Sequence, residues 1–91
     1  MDSGLQFLVA KLEHLLKLPI GSKAELTAWS VESRSLQQTL RQRFPDLKFP
    51  DEIWHFLADA EIRAGDAGYR QYQEQIVADY IKKVRGESHA V

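Results

Sequence analysis

Glycine and proline divide this chain more sharply than any other feature. They stand at positions 4, 19, 21, 45, 50, 65, 68 and 86 and nowhere else. Glycine adds conformational entropy to the unfolded chain, and proline removes a backbone donor and clashes with the preceding turn, so both weaken a helix interior. The blocks between them are candidate helices. None alternates apolar and polar residues with the period of a half-buried strand. With 91 residues there is room for one modest core. The expected fold is therefore an all-α single domain over 1–86, a compact bundle of about four helices with no sheet. The helices are expected at about 3–17, 23–43, 50–64 and 67–85, and 87–91 as a frayed C-terminal tail. Short connections make the neighbours mostly antiparallel.

Each block carries helical periodicity. In the first, Leu5, Leu8, Val9, Leu12, Leu15 and Leu16 follow the i, i+3, i+4, i+7 rule. Asp2 or Ser3 can cap its start, and Pro19 and Gly21 end it. The second opens on Ser22-Lys23-Ala24-Glu25, a capping box in which hydroxyl and carboxylate each satisfy a free backbone N–H. Leu26, Trp29, Leu36, Leu40 and Phe44 share one face of that block. Ser33 falls on the same face and Val31 off it, so the helix is either continuous or broken near Ser30–Ser33. The connector repeats Phe-Pro-Asp at 44–46 and 49–51, which reads as a rigid turn with Phe44 and Phe49 plugged into the core. Pro50 suits the first helical position.

The third block has two apolar stripes. Ile53, Phe56, Leu57, Ala60 and Ala64 form one, and Trp54, Ala58 and Ile62 the other, about 140° away by helical geometry. A helix apolar on most sides is central in its fold or covered by a partner. Glu52, His55, Asp59 and Arg63 share its remaining, outward face. Phe7 and Leu18 lie off the main stripe of the first helix, where they can cover Trp54 or extend a dimer surface. Asp66 can cap the fourth block, whose stripe is Tyr69, Tyr72, Ile76, Val77, Tyr80 and Val84, with Gly86 at its end.

Charge narrows the classes of function. The net charge is −1, so no general field draws the chain to nucleic acid or anionic lipid. There is no cysteine, hence no disulfide framework and no thiolate metal site. No apolar run approaches the roughly 20 residues that span a bilayer. The start lacks the basic region of a secretory signal, and the expected location is cytoplasmic. The charge is uneven. Asp51, Glu52, Asp59, Glu61 and Asp66 face Arg63 alone across 51–66.

Catalytic and metal chemistry find little support. Glu52 and His55 are an i, i+3 pair as in di-iron bundles, but such sites need two pairs and two further carboxylates. Glu13 and His14 are adjacent and point about 100° apart, and His89 lies in the tail. No serine sits in a Gly-x-Ser-x-Gly elbow, and no Gly-Lys-Ser/Thr loop is present. The chain is read as a non-enzyme with no cofactor and no metal.

Two function classes remain. The first is a protein–protein interaction module acting through the acidic third helix, as an immunity- or antitoxin-like inhibitor or an adaptor. Trp54 and Ile62 would be its apolar anchors, with Glu52, His55, Asp59 and Glu61 as the polar contacts; the partner is a protein or a second copy of the chain. The second is a small DNA-binding regulator. Leu26 to Leu36 has the loose spacing of a helix-turn-helix, and Arg34, Arg41 and Arg43 would contact DNA. Against it, Leu26 stands where a small residue is usual and Ser30 where glycine is usual.

Overall fold

The computed structural model describes residues 3–89. Five helices account for the elements: α1 Ser3–Lys17, α2 Lys23–Arg43, α3 Asp51–Ala58, α4 Ala60–Gly65 and α5 Ala67–His89. The fold is an all-α bundle, with no strand among the described residues. α3 and α4 are the expected helix over 50–64, divided at Asp59. They form one kinked column, so the bundle still has four columns. The main contacts run α1 to α2, α2 to α3 and α4, these to α5, and α5 back to α1, which closes a ring.

The core fills that ring. Leu8, Val9, Leu12 and Leu15 from α1 meet Trp29, Leu36 and Leu40 from α2, Ile53, Phe56, Leu57 and Ala60 from α3–α4, and Val77, Ile81 and Val84 from α5. Trp29 is its largest buried side chain, and its indole N–H donates to the carbonyl of Leu15 at 3.0 Å. That carbonyl, in the last turn of α1, also accepts from the Leu18 N–H at 3.2 Å, so the indole is a second donor to it. The Trp29 ring stands edge-on to Phe56 at 5.4 Å, a favoured arrangement of aromatic quadrupoles.

Neighbour directions follow from paired residues. Phe7 meets Phe44 and Leu15 meets Trp29, so α1 and α2 are antiparallel. Asp59 meets Tyr69 while Glu52 and Ile76 border one cleft, so α3–α4 and α5 are antiparallel too. The closing contact differs. Arg85 near the end of α5 pairs with Glu13 in the second half of α1, which is not the pairing of antiparallel neighbours.

Several local expectations change. α2 is one continuous helix through Ser30–Ser33, with Val31 exposed and Ser33 buried on the core face. Ser33 is tolerated there because its hydroxyl donates to the Leu57 carbonyl at 2.7 Å. Ser22 caps α2 by accepting from the Glu25 N–H at 3.1 Å. The Glu25 carboxylate reaches the N–H of Gly21, one residue before the cap, at 3.1 Å. Pro50 is the N-cap of α3 and not its first helical residue. Phe44 and Phe49 are half-buried against the core. α5 passes through Gly86 to His89, beyond the end expected at 85. An interior glycine costs about 1 kcal/mol relative to alanine, which does not oblige a helix to stop. On α5 the buried row is Gln73, Val77, Ile81 and Val84, and Tyr72 lies outside it. A capping role for Asp2 and the end of the tail at 90–91 lie outside the described residues.

Candidate interaction surface

The division at Asp59 organises this side of the molecule. Asp59 is a poor helix-interior residue, and it adopts φ −103° and ψ 22° between α3 and α4. Its N–H still donates to His55 O at 2.9 Å, and Arg63 N–H donates to Asp59 O at 3.1 Å. The backbone ladder is kept at these two positions. Two carbonyls of the last turn of α3 are taken by side chains, Leu57 O by Ser33 and Phe56 O by Arg63. Side chains entering the helical ladder are a recognised cause of kinks.

The bend turns Arg63 inward. An unbroken helix would set it beside Glu52, His55 and Asp59 on the outer face, as the helical spacing of these residues implies. It is instead 2% exposed. Its Nη1 donates to Phe56 O at 2.6 Å and to Gln73 Oε1 at 2.7 Å. The guanidinium also lies 4.6 Å from the centre of the Trp29 ring and 4.2 Å from that of Phe56, positions where the ring quadrupoles attract a cation. Nη2 has no hydrogen-bond partner among the described residues. Burial pushes the group down to about 10, against the pull of Glu74 and Asp59. It remains charged at neutral pH.

A polar chain continues from Arg63 to the surface. Gln73 is 4% exposed, and its amide nitrogen donates to Asp59 Oδ2 at 3.2 Å and to the Tyr69 hydroxyl at 2.9 Å. Tyr69 in turn donates to Asp59 Oδ2 at 2.7 Å. That bond, followed by partial burial, raises the Tyr69 phenol above its ordinary value. Asp66 caps α5 by accepting from the Tyr69 N–H at 3.0 Å, which fixes the first turn that carries Tyr69.

Outside this chain lies a cleft of about 240 Å³ between α3 and α5, lined by Glu52, His55, Tyr69, Tyr72, Gln73 and Ile76. Tyr72 is 62% exposed. Of the residues singled out from the sequence, Glu52 and His55 meet here. The others do not join them. Asp59 is half-buried, and its Oδ2 accepts from both Tyr69 and Gln73. Trp54 is half-buried against Phe49, with ring centres 4.9 Å apart. Ile62 is 53% exposed. Glu61 borders the opposite groove, beside Ser30 and Arg34 of α2. Phe7 packs on Phe44 at 5.7 Å, so the residue beside Trp54 is Phe49 rather than Phe7.

Tyr69, Tyr72, Gln73 and Ile76 were not recognisable as a site from the sequence. Three of them belong to the apolar stripe of α5, and a stripe reads as core. The one available signal was Gln73, a polar residue four positions after Tyr69 and four before Val77.

The helix-turn-helix spacing at 26–36 falls inside uninterrupted α2, so no turn separates two helices there. Arg34, Arg41 and Arg43 are exposed. Arg34 and Arg41 share a face, but Arg43 lies about 180° from Arg34 at 100° per residue and stacks over Phe44. Among the described residues no group of three or more His, Asp or Glu side chains is placed to hold a metal ion. No helix among them is long and apolar enough to cross a membrane. Comparison with protein-family models, curated proteins and solved structures returned no match.

Proposed function

We propose that this domain is a non-catalytic protein–protein interaction module whose contact surface is centred on the α3–α5 cleft. The observation that carries the reading is Tyr72, a large aromatic side chain 62% exposed beside a cleft walled by Glu52 and His55. Tyrosine supplies broad contact area at low entropic cost and is enriched among residues that dominate binding energy. The acidic residues of α3 and α4 form the charged rim, as they would in an immunity- or antitoxin-like inhibitor or an adaptor. Ile62 is an additional apolar contact on the same kinked column. Trp54 supports α3 from below through Phe49. The proposal carries a cytoplasmic location with it.

Tyr72→Ala tests the reading. The side chain is mostly exposed, so its removal should alter stability by no more than about 0.5 kcal/mol. Wild-type protein, Tyr72→Ala and the distant exposed substitution Val31→Ala are used as bait in extracts of the native host, with quantitative mass spectrometry. Sedimentation of each purified protein reports self-association. The expected result is a partner, or a second copy, held by wild type and by Val31→Ala and lost with Tyr72→Ala. Binding that is indifferent to Tyr72 refutes the assignment of the surface.

A further inference from the structure

Resting on that interaction reading, we infer that the α3–α5 cleft receives a lysine or arginine side chain of the partner protein. The first support is electrostatic. Across 51–66 the sequence sets five acids against one cation, Arg63. The fold takes that cation out of the surface, leaving it 2% exposed, while Asp51, Glu52, Glu61 and Asp66 remain exposed. Glu61 borders the groove toward α2 and Asp66 caps α5, so on the cleft side the exposed carboxylate is that of Glu52, and no Lys or Arg lines the cleft with it. A face of one sign attracts a partner of the other and repels like-charged competitors.

The second support is the cleft itself. Glu74 is engaged by Arg70 at 3.0 Å, and Asp59 by Tyr69 and Gln73. Gln73 has its oxygen committed to Arg63 and its nitrogen to Asp59 and Tyr69. Glu52 has no ion-pair or hydrogen-bond partner among the described residues, so its carboxylate is the acceptor left to an incoming group. The Tyr69 and Tyr72 rings lie 6.3 Å apart and present aromatic surface, which attracts cations. Ile76 offers an apolar wall for the methylene stem of a long basic side chain, whose charged head stays near water. The volume of about 240 Å³ falls below the ~300–1,000 Å³ of pockets that enclose a whole small molecule. It suits one side chain.

The test uses two probes, N-acetyl-arginine methylamide and its uncharged citrulline counterpart, titrated into the full chain while two-dimensional NMR spectra are recorded. The arginine probe is expected to shift signals of His55, Tyr72 and Ile76. The citrulline probe at equal concentration should shift them about fivefold less, the scale of losing one exposed ion pair. Glu52→Gln should reduce the arginine response by a similar factor. Equal responses to both probes, an unchanged response in Glu52→Gln, or shifts centred elsewhere would overturn the inference. The two readings fail separately. If Tyr72→Ala abolishes partner binding but Glu52→Gln leaves it unchanged, the basic side chain is refuted and the interaction surface stands. If the arginine probe binds as expected but Tyr72→Ala leaves partner binding intact, the pocket stands and the interaction surface is refuted.

Discussion

Arg63→Ala removes the one charged side chain buried among the described residues, and its effect can be worked from the contacts. The guanidinium donates to Phe56 O and Gln73 Oε1, both deep in the structure. Without it, two buried acceptors lose their donor, each costing about 1–3 kcal/mol. Against this stands a relief. The wild type buries a cation whose Nη2 has no partner among the described residues, and burial already works against its charged form. That relief is worth about as much as one unsatisfied group. The stacking on Trp29 and Phe56 is lost as well, at about 1–2 kcal/mol for a desolvated pair. The net expectation is a loss of about 2–4 kcal/mol, out of the roughly 5–14 kcal/mol expected for a domain of this size. The melting temperature should fall by about 10 °C or more. Urea unfolding followed by far-ultraviolet circular dichroism measures this directly, with an unchanged m-value showing that the same surface unfolds. A double-mutant cycle of Arg63→Met with Gln73→Leu isolates the pair, with expected coupling of about 1–2 kcal/mol. A loss below about 1 kcal/mol in Arg63→Ala, or a cycle without coupling, would refute the idea that Arg63 ties the α3–α4 bend to α5.

Three further outcomes can be checked in the same way. Ser33→Ala should cost about 1–2 kcal/mol in urea unfolding, because it strands the Leu57 carbonyl beneath α2; a neutral result would mean that water replaces the hydroxyl. Trp54→Ala should leave a folded, helical protein that is destabilised by about 1–3 kcal/mol, less than the ~3–5 typical of a fully buried aromatic, since Trp54 is half-buried on Phe49; loss of folding would place it in the core. Glu13→Gln should change the acid limb of the stability curve. The hydrogen bond from Arg85, at 2.6 Å from Nη1, holds the Glu13 carboxyl below its ordinary 4.5. A lowered folded value means that this contribution is present above 4.5 and is lost as pH falls through the folded value. Wild type and Glu13→Gln should therefore differ in melting temperature at neutral pH and converge in acid; a difference that persists unchanged in acid would contradict the pairing.

The position of the cleft depends on residues that the sequence pattern ranked differently. Glu52 and His55 were legible because both lie on a helix start rich in charge, away from the apolar stripe. Tyr72 was not, since it repeats at helical spacing with Ile76 and Tyr80 and periodicity cannot say which margin of a stripe a neighbour covers. Trp54 is a candidate anchor in the sequence, with its exposure left open, because no residue of its own helix covers it. Its cover is Phe49, in the connector before α3, where no helical register applies.

Local chemistry alone determined the helical content, the boundaries of α1 and α2, the Ser22 and Asp66 caps and the apolar face of α1. Each depends on residues within a turn or two of one another, and backbone satisfaction and 3.6-residue periodicity act at that range. The division of α3 from α4, the burial of Arg63 and the Leu57 carbonyl that satisfies Ser33 on the core face came from tertiary structure. No glycine or proline marks the bend at Asp59. It is held by donors reaching in from Ser33 on α2 and Arg63 on α4, with Gln73 on α5 completing the set. A helix keeps its ladder unless other groups offer its carbonyls better partners, and those partners lie up to 24 residues away in the chain. The acidic stretch was visible from the start; that its single arginine would leave the surface, and so leave Glu52 at the cleft without it, was decided by packing.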